Sequence, residues 1–140
     1  MMFCYQCQET AKNTGCTVRG VCGKNEEGAN LQDLLIYALK GISHIVVKEK
    51  LDVANLKDAN YETINSLFMT ITNANFDADS IERQIQKVLS LRDKLVDSVS
   101  TEGLHDAAVF QVDSRDSMLE KAASVGVLST ENEDVRSLRE

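Results

Sequence analysis

All four cysteines of this 140-residue chain fall between positions 4 and 22, as Cys4, Cys7, Cys16 and Cys22. The stretch that holds them, residues 1–28, sustains no apolar period of 2 or 3.6 residues and is interrupted by Gly15, Gly20, Gly23 and Gly28. Such a segment has no core of its own and needs something else to organise it. A C-x2-C pair followed by a glycine-rich return can aim four sulfurs at one centre, which suits an iron–sulfur cluster or a tetrahedral zinc. Zinc ribbons present two similar short-spaced pairs, whereas five residues separate Cys16 from Cys22, so a cluster is the better fit and zinc stays open. Disulfides and passive burial fit less well. The cysteines sit where core is scarce, and Met1 to Cys7 has neither the basic start nor the apolar run of a secretory signal, which points to the cytoplasm, where thiols stay reduced.

The rest of the chain reads as helix, and the fold class expected is all-α: a cysteine-rich loop over 1–28 and a helical bundle over 29–140. Proline is absent, where average usage of about 5% would supply roughly seven residues, and with it the commonest interrupter of helices. Leu31, Leu34, Leu35, Ala38, Leu39, Ile42, Ile45 and Val46 form one stripe, with Asn30 as the expected N-cap. A second helix is predicted from Asp58 to about Asn73, with Tyr61, Ile64, Leu67, Phe68 and Ile71 on its core side. A third is predicted from about Asp77 to Ser100, capped by Asp77 or Asp79, with Ile81, Ile85, Val88, Leu95 and Val99 in register. Residues 101–113 carry an apolar patch, Ala107 to Phe110, that no period assigns. A shorter helix follows from Ser114 to Ser124 through Met118, Leu119 and Ala122, and Gly126 is expected as a left-handed C-cap. Thr130 and Glu133 have capping-box spacing and start a last helix, with Val135 and Leu138 on its apolar side. It stops at Glu140, short of the roughly 12–15 residues at which a lone helix becomes marginally stable, so the chain is expected to be a truncated piece of a longer protein that exposes apolar surface and can self-associate.

Charge and motif exclude several functions. The net charge of −7 disfavours nucleic acid and anionic membrane surfaces. The longest apolar run, Leu34 to Leu39, is far below the roughly 18 residues of a membrane span. No phosphate-binding loop, dinucleotide fingerprint or nucleophile elbow occurs. Lys12, Arg19 and Lys24 lie in or beside the cysteine loop and could offset the negative charge of a four-thiolate centre. His44 falls opposite its helix's apolar stripe and reads as solvated, and His105 has no evident partner. Glu131, Glu133 and Asp134 suit the first turn of a helix. No residue qualifies as catalytic.

The string Phe3-Cys4-Tyr5-Gln6-Cys7-Gln8-Glu9-Thr10-Ala11-Lys12-Asn13-Thr14-Gly15-Cys16-Thr17 closely resembles the N-terminus of the hybrid cluster proteins, also called prismane proteins or hydroxylamine reductases. The resemblance continues at Gly20 to Lys24, Asn30 to Leu35, Thr70 to Asn75, Arg92 to Leu95 and Thr130 to Glu140. It implies that Cys4, Cys7, Cys16 and Cys22 hold a [4Fe–4S] cluster that passes electrons from an external redox donor. It further implies later domains of the same protein, absent from this sequence, with a separate hybrid iron–sulfur–oxygen cluster that reduces hydroxylamine to ammonia and water, and a nitric oxide reduction also ascribed to the family. On this reading the 140 residues alone are inactive. A free-standing electron carrier and a zinc-stabilised interaction module are the alternatives.

Overall fold

The longest helix, α1 (Glu26–Lys48), carries the apolar stripe that organises everything else. The computed structural model describes residues 1–71 and 74–139; the expected end of the second helix at Asn73, and Glu140, lie outside the described residues. α1 is capped by Asn25, whose side chain accepts from the Gly28 amide at 2.8 Å, and not by Asn30. Its first turn, Glu26, Glu27 and Gly28, contains no apolar residue, so periodicity could not register it, yet two acids there suit the positive end of the helix. The expected division between residues 28 and 29 therefore falls inside the helix.

Around α1 pack α2 (Lys57–Thr70), α3 (Ala78–Val96), the single turn α4 (Asp106–Val109) and α5 (Arg115–Val125). Leu31, Leu34, Leu35, Ala38, Leu39 and Ile42 meet Ile81, Ile85, Val88 and Leu89 of α3, Phe110, and Met118 and Ala122 of α5 in one core. Apart from one antiparallel bridge between Cys4 and Cys16, the described residues form no strand pairing. No helix among them is long and apolar enough to cross a membrane. The all-α expectation is met.

α2 presents the opposite face from the one expected. Tyr61, Ile64, Leu67, Phe68 and Ile71 face solvent, Tyr61 at 68% and Phe68 at 63% exposure. Ala59, Glu62, Ser66 and Thr70 face the bundle. The first and third of these are small enough for close approach, and the Glu62 carboxylate is satisfied at the contact. Gln84 Nε2 donates to Glu62 Oε2 and to Ser66 Oγ, both at 2.9 Å, while Lys87 Nζ lies 2.7 Å from Glu62 Oε1. These donors, Gln84 foremost, hold the Glu62 carboxyl below the usual carboxylate range despite its burial. A satisfied polar seam seats α2, and no count of apolar spacing detects one. Since its outer stripe touches little, Phe68→Ser is expected to change the unfolding free energy by less than about 0.5 kcal/mol. Leu35→Ala, in the fully buried stripe of α1, is expected to cost about 2–5 kcal/mol. Urea midpoints of the two variants measure the contrast, and equal losses would place Phe68 in the core.

From α3 onward the structure differs from or adds to expectation at four points. α3 ends at Val96, four residues before the predicted Ser100, and Asp77 is its cap. The patch at 107–110 is α4 with its exit, pressed so close to α1 that a Cβ on Gly41 would lie 2.1 Å from the Ala107 carbonyl oxygen. Gly126 is extended, with φ −66° and ψ 175°, not left-handed. Close approach explains the glycine there, because an added Cβ would lie 2.8 Å from Asp33 Oδ2. The last helix, α6 (Glu133–Arg139), is capped by Asn132, whose Oδ1 accepts from the Val135 amide at 3.1 Å. Thr130 instead accepts from the Asn132 amide, a local turn that replaces the expected capping box.

Candidate metal centre

The four cysteines are all reduced thiols and lie in the loop that precedes α1. Its path is fixed by a sharp reversal. Ala11–Asn13 form a 3-10 turn in which Lys12 and Asn13 take positive φ, and Gly15 follows at φ +106°. Glycine is required at position 15 twice over, since a Cβ there would also lie 2.5 Å from the Phe3 ring. The reversal lays Cys16 antiparallel to Cys4, with Cys4 N–H donating to Cys16 O at 3.1 Å and Cys16 N–H to Cys4 O at 2.9 Å. Met2, fully buried, packs with Cys16 and Ala29, and so ties the loop to the first turns of α1.

The environment of Cys16 suits an anionic sulfur. Its Sγ accepts from the Ala11 amide at 3.4 Å and lies 3.7 Å from the Thr10 hydroxyl, which itself donates to Cys4 O at 3.2 Å. The backbone N–H groups of Ala11 and Val21 hold the thiol below its ordinary pKa against the opposing effect of burial, with Thr10 and the Lys24 charge assisting. Lys24 is 2% exposed and places Nζ 3.8 Å from Cys4 Sγ and 3.1 Å from Gln6 Oε1. Lys12 and Arg19, the other two cations of the loop, are exposed.

Cys4 and Cys7 are half-buried and Cys22 is exposed. The fold thus brings Cys4 and Cys16 side by side, but among the described residues no group of three or more Cys, His, Asp or Glu side chains stands at metal-holding distance. A four-thiolate centre requires the arms bearing Cys7 and Cys22 to converge further on that pair. The donor chemistry nevertheless fits: four soft sulfur donors outside any disulfide, one biased toward thiolate by two amides, and a buried cation beside another. Thr10, Met2 and the special place of Lys24 are missed by sequence reading, because nothing in the order of residues distinguishes a loop cation that is buried from one that is not.

The histidines stay apart from the thiols and engage each other. His44 Nε2 accepts from the His105 amide at 3.2 Å, and His105 Nδ1 accepts from the Ala107 amide at 3.1 Å, capping α4. His44 is thus half-buried where solvation was expected, and His105 has the partners that the sequence did not reveal. Both are structural, holding the entry into α4 against α1.

An α-helical domain headed by a four-thiol loop is the class of protein this geometry defines. The chain belongs to the Prismane/CO dehydrogenase family, whose model matches residues 2–140. It is 70% identical over 139 residues to a hydroxylamine reductase of Acetivibrio thermocellus, 50% identical over 146 residues to one of Desulfitobacterium hafniense, and 51% identical over 152 residues to one of Nitratidesulfovibrio vulgaris. Each alignment covers 99% of this chain but only 26%, 26% and 27% of the respective relative. The chain therefore spans about a quarter of the length of the curated relatives it matches.

Proposed function

We propose that this chain is the N-terminal, electron-transferring portion of a hydroxylamine reductase, with Cys4, Cys7, Cys16 and Cys22 as the ligands of a [4Fe–4S] cluster. The observation that supports this most directly is the loop of four reduced thiols, with Cys16 biased toward thiolate, in a chain 70% identical to a protein named for that activity. When bound, the cluster supplies reversible single-electron transfer. Ala11 and Thr10 orient the Cys16 sulfur, Met2 and Ala29 exclude water behind it, and the Cys4–Cys16 bridge holds the two half-sites in register. The whole reaction, hydroxylamine with two electrons and two protons giving ammonia and water, belongs on this reading to a hybrid cluster in later domains of the longer protein. An external donor supplies the electrons, and the cytoplasm is the compartment in which the thiols stay reduced.

Anaerobic reconstitution of the chain with iron and sulfide tests the reading. Iron and acid-labile sulfide in equal amounts, with a visible absorption that reductant bleaches, is the expected result. Zinc without sulfide would overturn it in favour of a structural metal module. The loaded chain is expected to reduce no hydroxylamine above a metal-depleted control, and measurable turnover would refute the assignment of catalysis to another part of the protein.

A further inference from the structure

We infer that Lys24 is the charge-balancing residue of the thiol loop: its buried ammonium, in contact with Cys4 Sγ, raises the reduction potential of the cluster that the four cysteines hold on the reading proposed above. Three cations lie in or beside the loop, and the fold separates them. Lys12 and Arg19 project into water, where their fields are screened. Lys24 is 2% exposed, with Nζ at 3.8 Å from one ligand sulfur, and it also donates to a neutral amide oxygen, Gln6 Oε1, at 3.1 Å.

The position of Lys24 is built in. Its carbonyl accepts from the Gly20 amide at 2.8 Å, and the next residue, Asn25, is the N-cap of α1. The stem packs so tightly that a Cβ on Gly20 would lie 3.1 Å from Lys24 Cβ and 3.0 Å from Cys22 Sγ. The side chain therefore approaches Cys4 from a backbone anchored at both ends. Burying an ammonium is costly unless an anion or strong acceptor meets it, so its placement against a ligand sulfur suits a site that carries negative charge.

The electrostatic consequence has a definite sign. Reduction takes one electron from an external reductant, here dithionite, without making or breaking a bond, and the site becomes more negative by that one charge. A fixed cation beside a ligand sulfur stabilises the reduced form more than the oxidised form, because the attraction scales with the charge it faces and is strong where water is excluded. Net charge and hydrogen bonds to the sulfurs are among the main determinants of cluster potential. Lys24 supplies both.

The test uses the full chain reconstituted anaerobically, with Lys24→Met and Lys24→Arg beside the parent. Iron and sulfide per chain are measured first, then the midpoint potential by dithionite titration followed by electron paramagnetic resonance. Lys24→Met is expected to shift the one-electron reduction equilibrium about tenfold toward the oxidised form, a fall of ~59 mV, while Lys24→Arg stays near the parent. Loss of the cluster from Lys24→Met alone would also support charge balance, since methionine keeps the bulk and Arg keeps the charge. A Lys24→Met cluster with the parent's midpoint would overturn the inference. So would an equal fall in Lys24→Arg, or loss of the cluster from both variants with helix content intact by circular dichroism. Absence of iron and sulfide from the parent chain would instead overturn the cluster reading itself, so the two failures are distinguishable.

Discussion

Serine in place of Cys16 is expected to abolish stable iron binding and to loosen the loop, whereas serine in place of Cys22 is expected to abolish the iron alone. The two cysteines occupy opposite environments. Cys16 is buried in the small cluster with Met2 and Ala29, and its sulfur accepts the Ala11 amide. Cys22 is exposed. A hydroxyl has a shorter bond to Cβ than a thiol, so at position 16 it would draw away from the Ala11 N–H, already 3.4 Å from the sulfur. It would also leave unfilled part of the space that the larger sulfur occupies beside Met2 and Ala29. On the proposed ligand set both variants lose a soft donor, which at either position should weaken iron retention by more than about tenfold, beyond the effect of removing an outer partner. Iron content measures the first effect. Amide hydrogen exchange at residues 4, 11 and 16 in the metal-free chains measures the second. Equal protection in the two metal-free variants would show that Cys16 has no structural role apart from a metal, and undiminished iron in either would remove that residue from the ligand set.

What the sequence makes legible, and what it hides, follows from how each element is held. α1 and α5 are stabilised by apolar stripes facing a common core, a local signal, and α5 also by a side-chain cap that the sequence marks. Ser114, reciprocally bonded to Ser117, caps α5 where the sequence predicts its start. α2 is different, because periodicity identifies a stripe but not the direction in which it points. Its seat is decided by Gln84, on another helix, reaching Glu62 and Ser66 from residues about twenty positions away. The left-handed cap expected at Gly126 fails for a similar reason: Asp33, far off in the chain, demands the missing side chain there. At the candidate metal centre, confinement of the cysteines to one glycine-rich segment is enough to mark the loop. The choice of Lys24 over Lys12 and Arg19 depends on burial, which only the folded chain creates. Arg92 is the extreme case, a charged residue that composition places at the surface and the fold encloses completely.

Arg92→Met is expected to destabilise the chain by about 2–5 kcal/mol, the largest loss from a residue outside the apolar core. The guanidinium is fully buried and bridges α3 to the segment around α4. Nη1 donates to Ala107 O at 3.3 Å, Nη2 to Phe110 O at 2.7 Å, and Cζ lies 4.8 Å from the Phe110 ring centre. Nε and Nη2 also meet Asp93 Oδ1 at 2.9 and 2.6 Å, but that carboxylate is 41% exposed and can return to water when its partner is removed. The two carbonyls cannot. Methionine fills most of the volume while donating nothing, so the loss it produces reports orphaned backbone acceptors separately from a cavity. Lysine would keep the charge but, lacking the planar fork, could not span Ala107, Phe110 and Asp93 together, and an intermediate loss is expected. Chemical unfolding of both variants gives the magnitudes, and hydrogen exchange locates the damage. The amides of Ala108 and Phe110, bonded to His105 O and Asp106 O within the same turn, should lose protection well before those of α1. An Arg92→Met variant as stable as the parent would mean that the other contacts of α4 suffice, among them the approach to Gly41, the His44–His105 pair and the bonds of Asp106 to Tyr37 and Lys121, and that the buried cation is incidental to the fold.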